Sequence, residues 1–267
     1  MTVTPHVVRR GEGVPIVAVH GNGVDHRLLL ALDDDLAAAG SVERIYLDLP
    51  GFGGTPALDG DGGLPELADW LVATVRELVG SDRFALLGNS LGGLLARHVA
   101  AQLPDQVLGL ALLAPVVDPE PSHRTTPEHI VLERDDDLLA TLTADDREEF
   151  AGVTVRQVPA VWESYAEHAL PGIRAADPRA MERLSRRYVL TATPETPGTT
   201  TNTRDWPTLI VAGRQDHVVG HLDQAELAAL YLRATYLAVD AAGHNVHLEQ
   251  PELVGDAVRD WARILLV

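Results

Sequence analysis

A serine stands between two glycines in Gly88-Asn89-Ser90-Leu91-Gly92, after the apolar run RFALL and before an amphipathic stretch, Leu91 to Leu103. That is the setting in which G-x-S-x-G makes a sharp strand-to-helix turn and lifts a serine hydroxyl clear of a sheet. The chemistry expected is nucleophilic attack on a carbonyl. The Leu91 N–H opens the helix and points to where an oxyanion would form.

A serine nucleophile needs a base, an acid and a second oxyanion donor. Of the 11 histidines, His244 lies in VDAAGHNVHLEQPE, directly after the last apolar β-type run. His247, three residues on, is the local rival and reads better as structural. Asp216, in LIVAGRQDHVVG, follows another such run and is expected to orient His244; His217 reads as a neighbour. Asp118, after LLAPVV, remains the alternative acid. The second donor is expected from HGNGVDH, as the backbone N–H of Asn22, with His20 and Gly21 shaping the turn.

These residues can meet only if one architecture brings strand ends together. Apolar runs at Ile16–Val19, Ile45–Leu47, 83–88, 107–115, 207–213 and 235–243 alternate with helical patterns. In LPELADWLVATVRELVG, Leu64, Leu67, Leu71, Val75 and Leu78 share one helical face, and the final helix runs from about Pro251 to Leu265. Such alternation implies an α/β fold with a mostly parallel sheet and helices on both faces. Loops at the carboxyl ends of its strands then converge on one crevice. Residues Thr2 to Val8 are expected to add an edge hairpin.

The rhythm stops between about Asp118 and Thr203, where the chain is charged and interrupted by prolines. This interval is too long for a plain connection and reads as an insertion. Helical pieces are expected at Asp145–Phe150, Pro159–Leu170 and Pro178–Leu190, followed by a polar linker at 193–207. The expected division is 1–117 with 204–267 as core and 118–203 as insertion.

Composition narrows the options. The chain has 267 residues, a net charge of -18, no cysteine and, since every basic residue is arginine, no lysine. Thiolate catalysis, disulfides and Schiff-base lysine chemistry are excluded. An excess of negative charge disfavours nucleic acid and anionic membrane surfaces. With no signal-like or membrane-spanning run, a cytoplasmic protein is expected. The acidic stretch DDDLLATLTADDREE reads as a solvated face, and no metal site is expected.

Taken together, HGNG, DLPGFGGTP, GNSLGG, GRQDHVV and GHNVHLEQPE resemble the α/β-hydrolase fold enzymes in order and spacing. The likeness covers roughly Val14–Pro115 and Pro207–Leu265. It implies the chain order Ser90, Asp216, His244 for nucleophile, acid and base, and an insertion that acts as a helical cap. The motifs look most like the esterase, lactonase and carbon–carbon hydrolase branch. Haloalkane dehalogenases carry Asp where this chain has Ser90. Thr55 stands where the family often has Ser.

The expectation is a serine hydrolase of a small, largely apolar ester or similar acyl compound, needing no cofactor. The alternatives are a carbon–carbon hydrolase of a vinylogous diketone, a small-molecule receptor, and a biosynthetic enzyme that keeps the triad. Trp162 and Tyr165, with Val161, Leu170, Met181 and Tyr188, could line the pocket or form the insertion's own core. A small-molecule substrate is the partner expected, and self-association into a homodimer is left open.

Overall fold

The computed structural model describes residues 3–190, 194–195 and 205–267. Most of the expected linker at 193–207, and the expected boundary at 203–204, lie outside them. Seven strands form one sheet: β1 (Val7–Arg10), β2 (Val14–Val19), β3 (Val42–Leu47), β4 (Phe84–Asn89), β5 (Val107–Leu113), β8 (Pro207–Gly213) and β9 (Arg233–Val239). Their spatial order is β1-β3-β2-β4-β5-β8-β9, and all neighbours are parallel except β1 with β3. A second, two-stranded ladder joins β6 (Glu133–Arg134) to β7 (Arg156–Gln157).

The central apolar runs became strands because they bury both faces, whereas β9, at the sheet edge, is buried only at its end. Along β2, Val17 and Val19 enter one core cluster while Ile16 and Ala18 enter the other. The same alternation separates Leu86 from Ala85 and Leu87 on β4, as the two-residue period of a strand requires. The first face is covered by α3 (Leu64–Val79) and α4 (Leu91–Gln102). The second is covered by α2 (Asp33–Ala37) and α12 (Pro251–Ile264). Short helices α1 (Arg27–Leu30) and α11 (Val246–Glu249) complete this layer, while α10 (Leu222–Ala228) packs on the first face. Among the described residues, no helix is long and apolar enough to cross a membrane.

The expected edge hairpin needs correction. Residues 1–2 lie outside the described chain, and the N-terminal strand does not pair with β2, its neighbour in sequence. It crosses to β3 through a turn in which Gly11 and Gly13 have φ of +70° and +123°. Both edges of β2 are already taken by the parallel partners β3 and β4, so only the outer edge of β3 is free to pair.

Between β5 and β8 lie α5 (Asp136–Thr141), α6 (Ala144–Val153), α7 (Pro159–His168), α8 (Leu170–Ala175) and α9 (Pro178–Arg186). The run expected as one helix over Pro159–Leu170 breaks at Ala169, where α8 begins with proline at its first turn. The first four of these helices share a cluster of Leu139, Phe150, Val161, Tyr165 and Leu170, joined by Leu28 and Leu248 from the sheet domain, while α9 sends Leu184 into the first core cluster of the sheet. Phe150 meets Trp162 edge-on at 5.2 Å between ring centroids. Burial of each such side chain contributes about 1.5–3 kcal/mol, which holds short helices that would not persist alone.

Candidate active site

Ser90 sits between β4 and α4 with φ 52° and ψ −117°, a conformation an L-residue adopts only under constraint. The constraint is backbone bonding on both sides. Ser90 N–H donates to Leu113 O at 3.0 Å, and Val116 N–H donates to Ser90 O at 3.0 Å. Strand and helix also approach too closely for side chains at two positions. A Cβ on Gly88 would lie 2.4 Å from Gly92 O, and one on Gly92 would lie 2.1 Å from Val19 O. The two glycines of the motif are therefore required by contact.

The Ser90 hydroxyl lies 2.9 Å from His244 Nε2, and His244 Nδ1 lies 2.9 Å from Asp216 Oδ2. The Asp216 carboxylate can only accept, so Nδ1 carries the imidazole proton and Nε2 is free to accept from the serine. The other oxygen of Asp216 accepts N–H bonds from Val218 at 2.8 Å and Val219 at 3.1 Å. Asp216 is fully buried, whereas His244 keeps part of its ring exposed. The loop carrying His244 is tied down by Glu249, whose Oε1 accepts from Gly243 N–H at 2.8 Å. Its Oε2 accepts from Val155 at 2.8 Å and Arg156 at 3.0 Å. Burial pushes the Glu249 carboxyl up to about 7 against those donors. Glu249 went unremarked in the sequence, where its only signal was an acid in the helix that follows His244.

The other expected residues are placed as follows. Asp118 turns into its own loop, accepting from Glu120 N–H at 2.8 Å and pairing with His123 at 2.9 Å. His247 is buried, with Nε2 3.2 Å from Leu28 O, and burial pulls its pKa down to about 4. His217 packs its ring against His129, 4.4 Å between centroids. His20 is buried and neutral: Nε2 accepts from Leu49 N–H at 2.9 Å, leaving Nδ1–H to donate to Gly21 O at 2.7 Å.

Two cavities open at Ser90, and Asn22, Val153 and His244 border both. One, of about 220 Å³, is lined by Val24, Leu28, Tyr165, Ala169, Ile173 and Met181. The other, of about 740 Å³, includes Val116, Arg124, Tyr188 and Val219. Tyr165, Met181 and Tyr188 thus face a cavity. Trp162, Val161 and Leu170 do not: they are held in the helical cluster, with Trp162 stacked 6.4 Å from Tyr165. The helical period does not explain the split, since residues three apart share a face; Tyr165 borders the cavity at Ser90 while Trp162 packs on Phe150 and on Tyr165 itself. Leu91 is the first residue of α4, where backbone N–H groups lack intrahelical acceptors.

Among the described residues, one group has the composition to hold a metal ion: His6, His26 and Asp48. The fit is poor. Asp48 Oδ1 already accepts from His26 N–H and Nδ1, and Oδ2 from Gly54 N–H and His6 Nδ1, each at 2.8 Å. Four donors fill the carboxylate.

The alpha/beta hydrolase fold family matches residues 14–251. The chain belongs to that family. An alpha/beta superfamily hydrolase from Oenococcus oeni PSU-1 superposes with a TM-score of 0.89 at 27% identity, over 100% of both chains. A thermophilic esterase from Thermogutta terrifontis superposes with a TM-score of 0.70 at 22% identity, covering 99% of this chain and 95% of its own, a likeness of fold. In sequence, the chain is similar to a pimeloyl-[acyl-carrier protein] methyl ester esterase from Shewanella woodyi, 36% identical over 115 residues. That stretch is 43% of this chain and 41% of the relative, so the match spans about two fifths of the curated protein's length.

Proposed function

We propose that this alpha/beta hydrolase fold protein is a serine esterase acting on a small acyl ester. The observation that carries the reading is the continuous hydrogen-bonded line from Ser90 Oγ through His244 to the buried carboxylate of Asp216. The ester-hydrolase names of its relatives support the choice of bond.

In the reaction, Ser90 Oγ attacks the ester carbonyl carbon while its proton passes to His244 Nε2. Asp216 holds the imidazole by Nδ1–H and stabilises its positive charge. The carbonyl oxygen becomes an oxyanion and accepts the N–H groups of Asn22 and Leu91; each such donor is worth about 3–4 kcal/mol in the transition state. The carbon–oxygen bond to the alcohol breaks, and His244 returns its proton to the leaving oxygen. Water, giving a proton to His244 Nε2, then attacks the acyl-Ser90 ester, and the acid departs as Ser90 recovers its hydrogen. Residues 118–203 act as a cap, with Tyr165 as a lining residue and Trp162 as its support.

The test is covalent labelling with a fluorophosphonate. Mass spectrometry should place one adduct on Ser90, and Ser90→Ala should take none. A folded wild-type protein that resists the probe would refute an activated serine.

A further inference from the structure

The two cavities at Ser90 differ in charge. The smaller is bounded mainly by aliphatic and aromatic side chains and carries one carboxylate, Glu149, and no arginine, whereas the larger places Arg124, Arg186 and Arg187 on its wall, in a protein whose net charge is -18. Two of these cations are already matched. Arg186 pairs with Glu182 at 2.6 Å and Arg187 with Glu66 at 2.6 Å. Arg124 is not. Its Nε donates to Asp118 O at 3.1 Å, Nη2 to Pro119 O at 2.9 Å and Nη1 to Val218 O at 3.4 Å. Among the described residues no carboxylate forms an ion pair with it. Glu120, on the same wall, is turned to Ser122, whose Oγ lies 3.0 Å from Oε1.

Carbonyl groups orient a guanidinium without cancelling its charge. They occupy three of its five N–H groups and leave two. A held cation with spare donors beside an open cavity suits a planar oxyanion, which a guanidinium meets with parallel N–H bonds. Tyr188 borders the same cavity, and burial raises its phenol to about 12, so it keeps a proton to donate at neutral pH.

Resting on the esterase reading above, we propose that the substrate carries a carboxylate away from its ester, and that Arg124 recognises it in the larger cavity. The apolar substrate expected from the sequence then describes only the part seated in the smaller cavity.

The test compares monomethyl esters of five- to eight-carbon dicarboxylic acids with methyl esters of monocarboxylic acids of equal length. At the chain length that spans the cavity, kcat/KM should favour the carboxylate ester by about tenfold or more, the size expected of a charge-assisted hydrogen bond. Arg124→Gln should bring that ratio close to one. Arg124→Lys should keep part of it, since charge survives without the fork. Added salt should lower the wild-type ratio. A wild-type ratio near one at every length, or a ratio that Arg124→Gln leaves intact, would overturn the proposal. Calorimetry separates this from the fate of the esterase reading. Ser90→Ala protein should bind the preferred monomethyl ester, and adding Arg124→Gln should weaken that binding about tenfold. Such binding without wild-type turnover would refute the esterase and keep the anion site. Equal binding with and without Arg124 would refute the anion site.

Discussion

Asp216 beneath Ser90 and Tyr165 above it are both almost fully buried, yet different forces hold them. Asp216 stands at the carboxyl end of β8, fixed by two backbone N–H bonds and a histidine. Tyr165 belongs to α7, one of several helices of six to ten residues, and is fixed by packing on Phe150 and Trp162. Hydrogen bonds from a buried sheet end tolerate little displacement, because a lost partner leaves a buried polar group unmet. Packed side chains can be exchanged for others of similar volume at small cost. The lower wall suits a demand for fixed distances, and the upper wall suits a demand for changeable shape.

The sharpest way to break this contrast is at Ser90. Ser90→Ala should lower kcat for a short p-nitrophenyl ester by up to about 10⁶-fold, with the melting temperature little changed. Asp216→Asn should cost about 10⁴-fold by favouring the wrong His244 tautomer. Asp118→Asn should cost less than about tenfold; the opposite ranking would move the acid to the loop after β5.

Next in size is an effect on stability. His247 is buried and its folded pKa lies near 4, below the ordinary histidine value of 6.5. The unfolded chain therefore binds more protons than the native one between those values, so this group makes stability rise with pH through that window. The shift corresponds to roughly 3 kcal/mol. Glu249, raised to about 7, acts in the opposite sense, lowering stability as pH rises from about 4.5. Denaturant titrations of His247→Gln at pH 4 and pH 6.5 should show a smaller gain on going to the higher pH than the wild type shows. An equal gain would remove His247 as the source.

The smallest effects belong to the upper wall. Tyr165→Ala should alter KM and chain-length preference several-fold more than Trp162→Ala, because only Tyr165 faces the cavity. Both should keep labelling of Ser90 by a small fluorophosphonate. Lost labelling in folded Tyr165→Ala would mean that the helices help to assemble the lower wall, and the contrast would fail.

Local sequence was enough to mark the sheet. A buried parallel strand needs apolar side chains on both faces, so VPIVAV and FALLGN are legible as strands without reference to the rest of the chain. The junction at Ser90 was legible in part for the same reason: Gly88 records contact between β4 and the helix immediately after it, whereas Gly92 is required by Val19 O of β2, distant in the chain. What local pattern could not decide was pairing. The N-terminal strand joined β3 instead of β2 because both edges of β2 were already occupied, a condition set in part by β4, far along the chain. Nor could pattern separate Trp162 from Tyr165, two aromatic residues on one short helix whose orientation depends on where α7 meets α1 and α11. The pairings Arg124 to Val218 and Glu249 to Val155 cross more than 90 residues, so they too left no local trace. The sequence by itself determined which residues enter the sheet and where its strands end, because the apolar runs that burial demands, and the turns that end them, are written in neighbouring residues. Only the tertiary structure decided which loops share a cavity and which charge goes unmatched there, because those depend on separate segments being brought together.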